Sequence, residues 1–236
     1  MKDKGIFRFK KFSVKHHNST MKIGTDAVLL GSWVRSVDRQ HILDIGTGCG
    51  VIAMMLAQTN TNANVIGIDI DLESVKEATE NATHSPWAER IEIIQSSLQE
   101  YVSKSPFDLI VSNPPFFEEG TFSPINARKN ARHSTQLNYT ALVENTDRLL
   151  SENGEFAIIL PHNSQSKFIK ETEKHKFYLQ RITYFKPSKD SKVERVLMAF
   201  SKKFSSVQEN TLIHYDQNGD WTVDYIRLTK DFYLKL

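Results

Sequence analysis

Three glycines in seven residues, Asp44-Ile45-Gly46-Thr47-Gly48-Cys49-Gly50, separate the short apolar run HILDI from VIAMMLAQ, which has helical length and composition. A strand that meets a helix through such a turn opens a βαβ unit, because parallel strands need a crossover and a helix is the usual one. The alternation continues. NVIGID reads as a strand and LESVKEATENAT as a helix, IEIIQ as a third strand, and FDLIVSN as a fourth that stops at Pro114 and Pro115. TALVENTDRLL, the turn NG, EFAIILP and SQSKFIKETEKH add helix, turn, strand and helix, and YLQRITYFK and RVLMAFSKK follow as strands with no helix between them. This order predicts an α/β chain with a mostly parallel sheet, helices on both faces, and an antiparallel hairpin at one edge. The 236 residues suit one domain with small attachments, and no repeat or low-complexity linker divides them.

Composition removes several classes. A single cysteine cannot form an intramolecular disulfide, and no Cys or His pairs have metal-ligand spacing, so neither a disulfide scaffold nor a metal site is expected. No apolar run approaches the roughly 18 residues that span a bilayer, and charge interrupts MKDKGIFRFKKF where a signal peptide needs apolar residues. The expected setting is cytoplasmic, with no membrane partner.

The net charge of +2 hides an uneven distribution. Residues 1 to 22 carry seven positive and one negative side chains, residues 166 to 203 eleven and four, residues 23 to 165 nine and eighteen, and residues 204 to 236 three and five. Two basic segments therefore flank an acidic middle. Both interleave cations with aromatics (Phe7, Phe9, Phe12; Phe177, Tyr178, Tyr184, Phe185), which suits phosphate attraction and stacking on unpaired bases; a solvated surface over core aromatics would read the same way. The candidates for phosphate contact are Lys10, Lys11 and Lys15, and Lys186, Lys189, Lys192 and Arg195. The organisation expected is a single domain over 1–236, with a basic N-terminal arm over 1–22, a core over 23–203 and a C-terminal extension over 204–236.

The glycine turn is not the nicotinamide fingerprint, which would need glycine where Val51 stands. D-x-G-x-G-x-G instead resembles the S-adenosylmethionine loop of Rossmann-like class I methyltransferases. That resemblance implies Asp44 near the cationic amino and sulfonium end of the cofactor, with Gly46 and Gly48 passing beneath it. Asp69 ends the second strand, where a carboxylate can accept from both ribose hydroxyls, and Asp71 is the next candidate. Ser97 occupies the place where such families usually put an adenine-binding aspartate. Ile70 or Leu98 could pack on the adenine ring.

Asn113-Pro114-Pro115-Phe116 matches the [DNS]-P-P-[FYW] tetrad of methyltransferases that modify a planar amino nitrogen. Such a nitrogen has a delocalised lone pair. The Asn113 side-chain oxygen and the Pro114 carbonyl can accept its two hydrogens and draw it toward a pyramidal geometry, the prolines fix the backbone that does so, and Phe116 offers a stacking face. Upstream, Met21-Lys22-Ile23-Gly24-Thr25-Asp26 precedes AVLLGSWV, a helix that Thr25 or Asp26 can cap. It looks like the segment of related amino-methyltransferases whose threonine holds the cofactor carboxylate, a role that falls to Thr25 and then Lys22. With FRFKKFSV, NPPFF and the ending LTKDFYLK, the whole chain resembles the bacterial tRNA (adenine-N6) methyltransferases that act on valine tRNA at adenine 37. The resemblance implies a Rossmann-like fold with a seven-stranded sheet, S-adenosylmethionine as cofactor, and the anticodon stem-loop of tRNA as partner. Protein glutamine methylation, methylation of rRNA or DNA adenine, and a non-catalytic RNA-binding module on the same fold are the competing readings. Glutamine methyltransferases carry a helical domain before the glycine loop, and DNA enzymes add a target-recognition region larger than 204–236. Cys49 reads as a small loop residue.

Overall fold

A computed structural model describes residues 5–17, 19, 23–34, 39–115 and 138–234 of the chain. A hairpin of β1 (Ile6–Arg8) and β2 (Ser13–Lys15) comes first, then α1 (Thr25–Trp33), β3 (His41–Ile45), α2 (Val51–Thr59), β4 (Asn64–Asp69), α3 (Leu72–Thr83) and β5 (Ile91–Gln95). The second half supplies β6 (Phe107–Ser112), α4 (Tyr139–Leu149), β7 (Leu150–Pro161), α5 (Gln165–Lys174), β8 (Tyr178–Ser188), β9 (Arg195–Ser201), β10 (Gln208–Tyr215) and α6 (Val223–Thr229).

Among the described residues the main sheet has eight strands in the order β10-β8-β9-β7-β6-β3-β4-β5. Neighbours from β7 through β5 run parallel, β9 runs antiparallel to both β7 and β8, and β10 is parallel to β8. The α/β order is as expected; the count of seven is not. The eighth strand comes from the segment read as an extension, and the antiparallel pair lies one strand in from the edge. Only Leu212 of β10 is buried, so this edge strand lacks the apolar alternation that marks strands in sequence. The Asn153-Gly154 turn also lies inside β7, where the pairing with β6 shifts register between Phe107 and Leu109.

Strand order reverses at β3. The chain leaves β3 for β4 and β5 on one side and returns to β6 and β7 on the other, opening a crevice at the carboxyl ends of β3 and β6. Two apolar layers fill the faces. One packs α1 and α2 against Ile42, Leu109, Ile159 and Leu197; the other gathers Leu142, Val143, Phe156, Phe168 and Phe200 with α4 and α5.

Helix α2 is buried from Val51 to Ala57, and both distant ends of the sequence help to cover that layer. Phe9, Phe12 and Val14 are buried in it, the Phe9 and Phe12 rings stack at 4.5 Å, and Phe12 meets Trp87 edge-on at 5.6 Å. Phe9 forms a β-bridge with Tyr233, and the Lys10 amide donates to the Phe232 carbonyl at 2.8 Å. The N-terminal aromatics are therefore core, not stacking platforms, and residues 5–15 are not a separable arm. Phe9→Ala should lower unfolding free energy by about 3 to 5 kcal/mol in urea denaturation. Removing residues 1–15 should cost S-adenosylmethionine binding along with the fold, whereas an arm that only touches RNA would leave the unfolding midpoint in place.

Candidate active site

Asp44 is the last but one residue of β3 and is fully buried between β4 and β6. The Thr47 hydroxyl donates to its Oδ2 at 2.7 Å, while its Oδ1 is buried with no hydrogen-bond partner among the described residues. Burial pushes the Asp44 carboxyl up to about 7; the Thr47 hydrogen bond and the polarity of the nearby Ala53 amide oppose the rise, and Asp69 adds to it. A buried carboxylate with an orphaned oxygen suits a cationic ligand. Gly46 and Gly48 stand at φ of 69° and 56°, a left-handed conformation that side chains disfavour. The Gly46 and Thr47 amides both donate to the Ile68 carbonyl, at 2.9 and 3.0 Å, which lays the turn across the end of β4.

Asp69 ends β4 as expected, with one oxygen taking the Gly48 amide and the other the Asp71 amide, both at 2.9 Å. Burial raises its pKa, and these backbone hydrogen bonds oppose the rise. With the Ile70 amide also directed at it, the carboxylate keeps acceptor capacity for a ribose hydroxyl. Asp71 is committed elsewhere: its carboxylate caps α3 by accepting from the amide and the hydroxyl of Ser74, each at 2.9 Å. Ile70 is 43% exposed at the strand end, which leaves its side chain open to a ring. Leu98 is only 3% exposed and packs in the core with Ile45 and Ile68, so of the two apolar candidates Ile70 fits the adenine role. The Ser97 hydroxyl donates to Glu100 Oε2 at 2.8 Å and accepts from the Glu100 amide at 3.2 Å, which leaves it one acceptor site and no donor.

Across the crevice, Asn113 follows β6. Its Oδ1 is buried and has no hydrogen-bond partner among the described residues, Pro114 is buried and Pro115 exposed. Two unpaired acceptor oxygens, on Asp44 and Asn113, thus end adjacent strands at the switch point. Lys22 and Phe116 lie outside the described residues. Thr25 is exposed as the first residue of α1, whose cap is Gly24 with no side-chain hydrogen bond. Asp26 does not cap the helix, because its carboxylate takes Arg195 Nε at 2.9 Å. Cys49 is buried, and desolvation pushes its thiol up to about 12, which suits a packing role.

The candidate cations divide. The loop joining β8 to β9 carries Lys189 and Lys192, both exposed, at the same edge of the sheet as Asn113; Lys186, at the end of β8, donates to the Lys189 carbonyl. Arg195 is tied to Asp26. Lys15 pairs with Glu80, and Lys10 Nζ donates to the Lys230 carbonyl; Lys11 is exposed. Other charges of the second basic segment serve the fold: Arg181 is buried over the Trp33 ring at 3.7 Å, and Lys202, at the opposite edge of the sheet, pairs with Asp147 at 2.8 Å. Phe177 and Phe185 are buried too, leaving Tyr178 and Tyr184 as the accessible aromatics of that segment. Among the described residues there is no group of three or more His, Cys, Asp or Glu that could hold a metal, and no helix long and apolar enough to cross a membrane.

The methyltransferase small domain family matches residues 16–181. The chain belongs to that family. Among similar methyltransferases is a Flavobacterium psychrophilum protein named tRNA1(Val) (adenine(37)-N6)-methyltransferase, 38% identical over 98% of this chain and 100% of its own length. A Trichodesmium erythraeum protein of the same name is 39% identical over 97% of this chain and 98% of its own. The fold is likewise that of solved methyltransferases. A predicted O-methyltransferase from Agrobacterium tumefaciens matches with a TM-score of 0.69 at 20% identity, over 88% of this chain and 96% of that one. A glycopeptide N-methyltransferase crystallised with S-adenosylmethionine matches with a TM-score of 0.57 at 10% identity, over 79% and 91%.

Sequence reasoning missed three residues that hold the site. Thr47 lies between the glycines and its hydroxyl steadies Asp44, a role its position could have suggested. Asn81, on α3, accepts from the Lys15 amide at 2.8 Å and donates to the carbonyls of Lys15 at 2.8 Å and Cys49 at 2.9 Å, so it joins the N-terminal hairpin to the glycine turn. One turn earlier, Glu77 accepts from the His17 and Ser19 amides at 2.7 and 2.8 Å. Nothing local distinguishes these two from a solvated polar helix face.

Two expectations follow for titration with S-adenosylmethionine. Asp69→Ala removes charge-assisted acceptors and also frees the Gly48 amide, so the dissociation constant should rise at least about tenfold in calorimetry. Asp44 must be ionised to meet a cation, and its pKa of about 7 means the proton is lost as pH rises through that value. Affinity should therefore increase from about pH 6 to about pH 8 and then level, and Asp44→Asn should flatten the profile. In the free protein the raised pKa has the opposite sign: folding stability falls as pH rises from about 4 toward about 7.

Proposed function

We propose that this methyltransferase transfers the methyl group of S-adenosylmethionine to the exocyclic N6 of adenine 37 in valine tRNA. The observation that carries the reading is the unpartnered Asn113 Oδ1 at the end of β6, on the strand next to the glycine turn and its buried Asp44. The near full-length relatives with that named activity support the choice of base and tRNA. When bound, the cofactor supplies a methyl group already activated by its sulfonium.

The protein's part is binding and orientation. Asp44 accepts the cationic end of the cofactor, Asp69 the ribose, and Ile70 the adenine face. Asn113 Oδ1 and the Pro114 carbonyl each accept one hydrogen of the target amine, which localises its lone pair toward the methyl group. Pro114 has no amide hydrogen, so it cannot compete for the acceptors. The nitrogen need not lose a proton before it attacks. The target adenine has to leave its stack to reach Asn113, a smaller cost in an anticodon loop than in a duplex. Lys186, Lys189 and Lys192 offset the acidic middle of the chain and draw the RNA backbone to the catalytic edge.

Asn113→Ala should lose most turnover while binding S-adenosylmethionine with nearly unchanged affinity. Incubation with bulk tRNA from a strain lacking this protein, followed by mapping of the new methyl group, tests the assignment directly. A methyl group on another base or another tRNA would refute it, and wild-type turnover of the Asn113 variant would remove Asn113 from the chemistry.

A further inference from the structure

Strand β7 lies beside β6 in parallel register, with Ile158 level with Ser112. Asn113 is therefore level with Ile159, and His162 follows three residues later on the neighbouring strand, roughly 10 Å further in the strand direction and so beyond the end of β6. The chain turns there. The His162 amide donates to the Glu194 carbonyl at 3.0 Å, which anchors the turn to the base of the β8–β9 loop, while the residue itself is exposed. Its ring meets the Tyr184 ring edge-on, with centroids 6.1 Å apart and planes at 80°. Tyr184 is half-buried against the core of that face, and Gln165 Nε2 approaches its hydroxyl at 3.4 Å. An exposed imidazole is thus held on a braced aromatic backing, between Asn113 and the loop that carries Lys189 and Lys192.

We propose that His162, backed by Tyr184, is a stacking site for the nucleobase adjacent to the target adenine. The inference rests on the reading of the protein as a tRNA methyltransferase. Three features carry it. One edge contact leaves ring surface of an exposed imidazole open, and a flat π-face is what an unpaired base stacks on regardless of its identity. The site lies about one nucleotide's reach from Asn113, so a base extruded into the crevice puts its neighbour there. Lys186, Lys189 and Lys192 stand against Asp190 and Glu194 in the same loop, which gives a small cationic excess beside the stacking face for the adjoining phosphates. The base is held at its neighbour, which orients the flipped adenine without touching the reacting atoms; His162 is a positioning residue.

The test uses full-length valine tRNA lacking the modification and carrying 2-aminopurine beside the target adenine, with wild-type protein and the His162→Ala and His162→Phe variants. Stacking should quench the 2-aminopurine on wild-type protein. His162→Ala should raise KM for tRNA about tenfold and weaken the quenching, with kcat and S-adenosylmethionine affinity nearly unchanged. His162→Phe keeps a ring and should restore both. A His162→Ala protein with wild-type KM and quenching would overturn the stacking site while leaving the tRNA reading intact. Failure of the wild-type protein to methylate any tRNA would overturn both.

Discussion

A carboxylate held away from water at the end of the central strand is the constraint around which this protein is arranged. Asp44 lies between two parallel neighbours, with one oxygen accepting from the Thr47 hydroxyl and the other without a hydrogen-bond partner among the described residues. Its desolvation raises the cost of ionisation, which a cationic ligand offsets. The glycine turn passes close by because its first amides reach back to β4, and Asp69 closes the circuit through Gly48. Its burial is a local cost in the free protein, and the same strands that bury Asp44 bring the Asn113 oxygen to the neighbouring strand end.

The parts of this design that depend on sequence neighbours were legible in the sequence. The glycine turn, Asp69 at its strand end and Asn113 before two prolines each follow from spacing and residue type, and the βα alternation placed them on one edge of a parallel sheet. Contacts between distant residues were not legible. Arg195 reads as a surface cation until Asp26 is seen beside it, Phe9 and Phe12 as stacking aromatics until Trp87 and Tyr233 cover them, and Leu98 as a ring contact until Ile45 and Ile68 enclose it. β10 was missed for another reason. It buries a single residue, Leu212, and pattern reading depends on repeated burial.

Charge is sorted by the fold rather than by the sequence. Strands β8 and β9 run in opposite directions, so one basic segment delivers Lys189 and Lys192 to the catalytic edge and Lys202 to the far one. Arg181, between them, is spent on Trp33 inside the protein. A count of positive residues therefore overstates the exposed cationic surface, and the direction of each strand decides at which end of the sheet each lysine lies.

The bond between Lys10 and Lys230 spans 220 positions, and the neighbouring Phe9 bridge to Tyr233 is as distant. Contacts this remote in sequence close late, after nearer pairs have formed. During synthesis the hairpin that carries Phe9 and Phe12 leaves the ribosome early, but the residues that cap it are made more than two hundred positions later. For that interval the nascent chain carries an aromatic cluster with part of its cover missing. Until synthesis reaches Phe232, those rings are therefore a surface on which the nascent chain can associate wrongly.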